Sequence, residues 1–196
     1  MPLEFDRVLP LLTIAIPTWN RAQYLMRNLT QLRSELLNVQ PGIVEVIVSD
    51  NHSSDSTPGV VQEAVSQGLP VLYVRNERNV GWASNFIQCF EMARGRYVLL
   101  LGDDDLFVDG TLAELVHFLS GRHYGVVCLR PYGFDTDPRR ERPWRYGRTL
   151  VYSDSRLFLK KISNYFTLTS ACVINKSLLA EVNSRQFITT DLATFH

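Results

Sequence analysis

The sequence predicts an α/β domain built on a mostly parallel central sheet with helices on both faces. Short runs of β-branched and other apolar residues alternate with longer segments whose apolar side chains recur every three or four positions. Each short run also empties into a polar loop rich in Asn, Asp, Ser, Thr or Arg before the next helix begins. Strands that alternate with helices imply a mostly parallel sheet covered on both faces. Such sheets bind ligands at the carboxyl ends of their strands, where these loops gather.

The elements follow in order. Leu11 to Ile16 is a short apolar run that stops at Pro17, as a buried strand would, and enters the loop Pro17-Thr18-Trp19-Asn20-Arg21. From Ala22, the residues Leu25, Leu29, Leu32 and Leu36 recur at helical spacing up to Asn38, with Pro41-Gly42 as the stop. Ile43 to Val48 is the second strand, followed by the polar loop Ser49 to Thr57 and a helix that opens at Pro58 and runs to Gln67-Gly68. Val71 to Val74 is the third strand, and a helix from about Ala83 to Ala93 closes at Gly95. Tyr97 to Leu101 is the fourth strand. Thr111-Leu112-Ala113-Glu114 has the form of a capping box, which predicts a helix with Leu112, Leu115, Val116 and Leu119 on its inner side. Tyr124 to Leu129 is a fifth strand. Beyond Pro131 the regularity weakens, with a helix expected around Phe158 and Ile162, a strand from Leu168 to Ile174 and a short helix from Ser177 to Val182. No internal repeat divides the chain.

The fourth strand runs directly into Gly102-Asp103-Asp104-Asp105. Adjacent carboxylates repel one another and raise one another's pKa, so this cluster fits a hard cation that binds oxygen ligands. A solvated acidic turn that caps the next helix reads equally well from these residues alone.

Composition bounds the function classes. The 196 residues are 45% hydrophobic and 20% charged, which is ordinary for one globular domain. Lys+Arg and Asp+Glu both number 20, so no global field argues for nucleic acid. Cys89, Cys128 and Cys172 lack the close-pair spacing of a zinc or redox motif and read as buried thiols in a reducing compartment. No charged-then-apolar leader is visible, and runs such as Val98 to Leu101 are far too short to span a bilayer, so the expectation is a cytoplasmic protein.

Each strand-end loop carries its own chemistry beside a plainer reading. Asp50 can accept a hydrogen bond from a base ring N–H, or serve as a turn aspartate. Asn20 and Arg21 can hold a phosphate or a base edge, or be turn and solvated residues. Asn79, Gly81 and Asn85 can let the backbone approach a ligand closely, although Asn-x-Gly is also a frequent turn signal. Arg139, Arg140, Arg142, Arg145 and Arg148 interleave with Trp144 and Tyr146, which suits a membrane surface, a phosphate-bearing acceptor or a solvated loop.

The order of these loops carries a resemblance over about residues 12 to 120. A strand ending in Pro17-Thr18-Trp19-Asn20-Arg21 is followed by one ending in Asp50-Asn51-x-Ser53-x-Asp55-x-Thr57. Then come Arg75-Asn76-Glu77-x-Asn79-x-Gly81 and Ala93-x-Gly95-x-Tyr97, leading to Gly102-Asp103-Asp104-Asp105. This set closely resembles the family 2 glycosyltransferases of GT-A (Rossmann-like) fold, in the branch of bacterial O-antigen sugar transferases of the abequosyltransferase type.

The resemblance implies an inverting transfer of a sugar from a nucleotide-diphosphate donor to a hydroxyl of a saccharide or lipid-linked acceptor. Pro17, Thr18, Asn20 and Arg21 would line the nucleotide pocket, with Asn79, Gly81 and Asn85 beside it. Asp50 would recognise the base, and its acceptor character suits the N3–H of uracil or thymine. Asp103 and Asp104 would contact the ribose or donor sugar, and Asp105 with Asp103 would hold Mn²⁺ or Mg²⁺ bridging the diphosphate. Asp191 is the candidate general base, with Asp135, Asp137 and Asp154 as rivals. Residues 1–196 would form a single domain, 1–130 holding donor and metal and 131–196 facing the acceptor. Relatives continue well past residue 196, so a shortened acceptor side is expected. The arginine segment Arg139–Arg148 would give peripheral contact with the inner face of the membrane. The competing readings are a non-catalytic nucleotide-sugar-binding module or inactive paralogue, and a metal-dependent phosphoryl-transfer enzyme, which the Asn20-Arg21 and Asp50 loops disfavour.

Overall fold

The computed structural model describes residues 9–143, 149–162 and 168–179. Its elements are β1 (Leu12–Thr18), α1 (Ala22–Leu36), β2 (Val44–Asp50), α2 (Thr57–Ser66), β3 (Val71–Arg75), α3 (Trp82–Met92), β4 (Tyr97–Leu100), α4 (Thr111–Gly121), β5 (Val126–Cys128), α5 (Ser155–Ile162) and β6 (Cys172–Asn175). One six-stranded sheet takes the order β3-β2-β1-β4-β6-β5. Strands β1 to β4 run parallel, and β6 is antiparallel to both β4 and β5. The expected mostly parallel sheet is therefore present. Because β6 lies between β4 and β5, the later part of the chain completes the sheet begun by the earlier part.

Both faces of the sheet are covered. Leu12, Ile14, Ile16, Val46 and Val48 point to one side, where they cluster with Leu25, Leu29 and Leu32 of α1 and Leu112, Leu115 and Leu119 of α4. Ala15, Ile47 and Val98 point to the other side and meet Cys89 and Ala93 at α3. Each fully buried leucine contributes about 1.5–3 kcal/mol relative to an exposed one. Thus the leucine period of residues 25 to 32 sets which face of α1 meets the sheet.

Four expectations about the elements change. β1 does not stop at Pro17 but continues to Thr18. Along β1, the Thr18 carbonyl bonds toward β2 and the Ala15 carbonyl bonds toward Leu101 at the end of β4. Pro17 therefore turns its nitrogen to the β4 side, where pairing has ended at Leu100, and the missing N–H costs no ladder bond.

The Thr111–Glu114 capping box does not form. Gly110 is the N-cap of α4, in the left-handed region at φ 80°. The Glu35 carboxylate of α1 does the capping instead, accepting the Gly110 amide at 2.8 Å and the Leu112 amide at 3.0 Å. An acceptor at the helix N-terminus satisfies the orphan N–H groups wherever in the sequence it originates.

Leu168 to Ile174 is not all strand: Thr169–Ala171 is a 3₁₀ turn, and β6 starts only at Cys172. Of the helix expected from Ser177 to Val182, the described part lies in a 3₁₀ turn at Lys176–Leu179, and 180–182 lie outside the described residues. The three cysteines are free thiols; Cys89 and Cys172 are buried as expected, whereas Cys128, on the sheet-edge strand β5, is only half-buried. Cys128 and Cys172, far apart in sequence, face one another across β5 and β6.

At the amino ends of the strands, Gly95 allows a close approach. A methyl group there would lie 2.6 Å from the Thr13 backbone nitrogen. Beside it the buried Glu45 carboxylate accepts the Thr13 hydroxyl (2.8 Å), the Arg94 amide (2.9 Å) and the Arg94 guanidinium (2.6 Å).

Candidate donor-binding site

The carboxyl ends of β1, β2, β3 and β4 bring four loops together, and side chains lace them into one surface. Asn20 stands in the left-handed region at φ 53°, which Asn tolerates better than most residues. Its amide donates to the Ser53 hydroxyl at 2.9 Å, and its Oδ1 accepts the Ser54 amide at 2.7 Å. The Asp55 carboxylate accepts the Ala22 amide at 2.9 Å, so the loop after β2 caps the first turn of α1. Burial works against the Asp55 charge, but the bonds from Thr57 and Ala22 outweigh it and hold the carboxyl below its usual range. Asn20 and Arg21 are therefore fixed by Ser53, Ser54 and Asp55.

Asp50 is fully buried at the end of β2. Its Oδ1 accepts the Ser53 amide at 2.8 Å, and its Oδ2 accepts the Tyr73 hydroxyl at 2.7 Å with the Arg75 guanidinium 3.5 Å away. Burial and the bond to Asp50 push the Tyr73 hydroxyl pKa up. The Arg75 side chain also donates to the Ser53 carbonyl at 2.8 Å, so Arg75 lies over this carboxylate.

The asparagines form a second network. Asn51 Oδ1 accepts the Val80 amide and the Asn76 side chain, and Asn51 donates to Asn79 Oδ1 at 2.9 Å. Asn79 Oδ1 also accepts the Gly81 amide, two residues on, while Gly81 adopts φ 85°. Asn85 is buried, bonded to both the hydroxyl and the carbonyl of Ser49. Asn79, Gly81 and Asn85 thus fix the course of the loop after β3, and of these three only Gly81 is exposed with Asn79.

The acidic turn after β4 divides its three carboxylates. Asp103 is buried: its Oδ2 accepts the Thr18 hydroxyl at 2.7 Å, and its Oδ1 lies 3.2 Å from Arg21 Nε. Burial pushes the Asp103 carboxyl up in spite of Thr18 and Arg21. Asp104 is exposed and pairs with Arg21 Nη2 at 2.5 Å. Partial burial opposes the Arg21 charge, and the two aspartates overcome it and raise its pKa. Asp105 bonds the Ser170 hydroxyl through Oδ2.

Gly102 makes this turn feasible. A methyl group on it would sit 2.7 Å from Asp105 Oδ2 and 3.1 Å from Asp104 Oδ1, so these two carboxylates curl back over the same glycine. Buried Asn28 of α1 holds the turn from below, donating to the carbonyls of Gly102 (3.2 Å) and Asp105 (2.7 Å). Ser170 holds it from the other side, accepting the Gly102 amide at 2.8 Å.

No group of three or more His, Cys, Asp or Glu residues among the described residues is arranged to hold a metal ion. The donor set is nevertheless a pair of hard carboxylates, Asp104 and Asp105, that converge over Gly102. Mg²⁺-type sites commonly take one or two protein carboxylates and complete the shell with substrate phosphates and water. The residues present fit such an ion.

Pro17, Thr18, Asn20, Arg21, Asp50, Asn79, Gly81, Asn85 and the three aspartates thus lie in or beneath one edge. Asp191, Arg145 and Arg148 lie outside the described residues. Arg139 pairs with Asp109 (2.8 Å) and Arg140 with Asp137 (3.3 Å), so the described start of the arginine segment is partly neutralised within the chain. Asn28, Arg75 and Ser170 were not anticipated as site residues; Arg75 at a strand end was the one visible signal.

A mostly parallel sheet of this order, covered by helices on both faces, is that of the GT-A fold, and solved structures agree. TarS of S. aureus, known in complex with UDP-GlcNAc, matches 87% of this chain and 46% of its own at a TM-score of 0.65 and 22% identity. The mannosyltransferase PcManGT of Pyrobaculum calidifontis, in complex with GDP-Man and Mn²⁺, matches 91% of this chain and 48% of its own at 0.61 and 21% identity. In sequence, the abequosyltransferase RfbV of Salmonella typhimurium is 31% identical over 122 residues, 61% of this chain and 36% of RfbV. The chain spans about a third to a half of the length of these proteins. The glycosyl transferase family 2 pattern matches residues 13–182, and the chain belongs to that family.

Proposed function

We propose that this chain carries the donor site of an inverting, divalent-metal-dependent glycosyltransferase that uses a UDP- or dTDP-sugar. The acceptor is a hydroxyl of a saccharide or lipid-linked saccharide in cell-surface polysaccharide synthesis. The observation that supports this most is the acidic turn, where Asp104 and Asp105 converge over Gly102 beside the cationic Arg21.

Asp105 and Asp104 are the residues proposed to hold Mn²⁺ or Mg²⁺. Asp103, expected from the sequence to share that task, is engaged with Thr18 and Arg21 and serves as the post that holds the guanidinium. Bound there, the ion would stabilise the diphosphate leaving group as a Lewis acid. Arg21 adds a fixed positive charge at the same end, where negative charge develops as the glycosidic bond breaks. At the other end, Asp50 supplies an acceptor-only carboxylate for the N3–H of uracil or thymine, and Arg75 and Tyr73 must swing aside to admit the base.

Beyond the acidic turn, a cavity lined by Gln31, Phe107 and Asp109 of the earlier part of the chain and Tyr132 and Arg139 of the later part suits a saccharide acceptor. Asp191 is the proposed base that takes the acceptor proton. No helix among the described residues is long and apolar enough to cross a membrane, and contact with the inner face through Arg139–Arg148 is proposed as peripheral.

The test is release of nucleoside diphosphate from a panel of UDP-, dTDP- and GDP-sugars with Mn²⁺. The proposal expects release from a UDP- or dTDP-sugar and its loss in Asp105→Ala. Binding without release would favour the non-catalytic module, and release unchanged in Asp191→Asn would remove Asp191 as the base.

A further inference from the structure

We propose that Ser170 is a positioning residue for the metal end of the donor site, and that it selects which oxygen of Asp105 faces the cation. This rests on the reading that Asp105 holds a divalent ion. Ser170 lies in the 3₁₀ turn Thr169–Ala171, directly before β6. The antiparallel register of β4 with β6 pairs Leu99 with Val173, and continuing it past the end of the ladder sets Ser170 opposite Gly102. The sheet itself therefore delivers this hydroxyl to the acidic turn.

The direction of each bond follows from the inventory of donors. A backbone amide can only donate, so the Ser170 oxygen accepts from Gly102 N at 2.8 Å. The single hydroxyl proton is then left for Asp105 Oδ2, the partner recorded for it. With Oδ2 held over Gly102 by the Ser170 proton, Oδ1 is the oxygen this proposal assigns to an incoming ion. Asn28 holds the same turn through its Gly102 and Asp105 carbonyls, but it touches no carboxylate oxygen. Ser170 thus does what Asn28 does not: it fixes the side-chain rotamer of Asp105.

A group that orients a metal ligand through a hydrogen bond typically alters metal affinity by about 10–100-fold when removed. Ser170 belongs to the later part of the chain, so the acceptor-side half would tune the metal end of the donor half.

The experiment measures Mn²⁺ affinity in the presence of UDP from the electron paramagnetic resonance signal of free Mn²⁺, and UDP affinity without metal by calorimetry. It compares wild type, Ser170→Ala and Ser170→Thr. Ser170→Ala should weaken Mn²⁺ binding about tenfold or more, lower the melting temperature by no more than about 4 °C through the lost Gly102 amide bond, leave metal-free UDP affinity unchanged, and be rescued by Ser170→Thr, which keeps the hydroxyl. Mn²⁺ binding equal to wild type in Ser170→Ala overturns this proposal alone. A metal-free UDP affinity that falls as far as the Mn²⁺ affinity would make Ser170 a structural residue and also overturn it. A wild-type protein that binds no Mn²⁺ with UDP overturns the donor-site reading and this proposal together.

Discussion

Glycine-to-alanine changes at Gly95 and Gly102 should have opposite consequences. At both positions an added methyl group is crowded to less than 3 Å, but by different atoms. At Gly95 the obstacles are the Thr13 backbone nitrogen at 2.6 Å, Thr13 Oγ1 at 2.7 Å and the Leu12 carbonyl carbon at 2.8 Å. Two of these are backbone atoms of β1, in the middle of the sheet, which cannot yield without parting from β2 and β4. Overpacking against such a partner costs about 1–3 kcal/mol. For a chain of this size that is a fall of about 2–12 °C in melting temperature.

At Gly102 the obstacles are carboxylate oxygens of Asp105 and Asp104, the far ends of side chains that can rotate away. Gly102→Ala should therefore keep the melting temperature within about 2 °C of wild type, as a loss under about 0.5 kcal/mol implies. It should nevertheless weaken Mn²⁺-dependent UDP binding about tenfold or more, because the two metal-facing carboxylates can no longer converge. Differential scanning fluorimetry and UDP titration with and without Mn²⁺ read both quantities. A Gly102→Ala protein with undiminished metal-dependent binding, or one as destabilised as Gly95→Ala, would refute this account of the turn.

Two further predictions concern buried carboxylates. Glu35→Ala removes the acceptor of two amides at the start of α4 and should destabilise by about 2–4 kcal/mol, with Glu35→Gln between it and wild type; equal melting temperatures would show that α4 does not depend on this cap. For Glu45, burial alone would raise the carboxyl pKa, but bonds from the Arg94 amide, Thr13 and the Arg94 guanidinium outweigh it and hold the carboxyl below its usual range. A folded value below the unfolded one, about 4.3, means stability that is present above that pH and lost as pH falls through the folded value. The melting temperature should drop on acidification below about pH 4.5, and Glu45→Gln should flatten that drop; parallel pH profiles would refute it.

Much of the fold was legible because its signals are local. The leucines of residues 25 to 32 have helical period, the strands are β-branched, and each ends at a turn residue. What failed was also informative. Pro17 reads as a strand end only if pairing on both sides is assumed, and the short β4 removes that condition. Thr111 and Glu114 have the right spacing for a capping box, yet Glu35, in another helix, reaches the orphan amides first.

The site shows the same division. The carboxylates, Arg21 and Asp50 stand at strand ends, where their chemistry is visible. Their supports are not: Asn28 meets the acidic turn across 74 and 77 residues and Ser170 across 65 and 68, and one sequence records neither contact. The sequence also leaves the burial of Asp50 unseen, since Tyr73 and Arg75 arrive from another strand.

The central claim is that the acidic turn binds a nucleoside diphosphate together with a divalent cation. It is tested most directly by thermal stabilisation with UDP, dTDP, GDP and CDP, each with and without Mn²⁺, because a ligand that binds only the folded state raises its stability. The account predicts that UDP or dTDP raises the melting temperature, that Mn²⁺ enlarges the shift, and that Asp105→Ala loses the metal-dependent part while keeping the rest. A wild-type protein whose melt is unmoved by every nucleotide, with or without Mn²⁺, would contradict it.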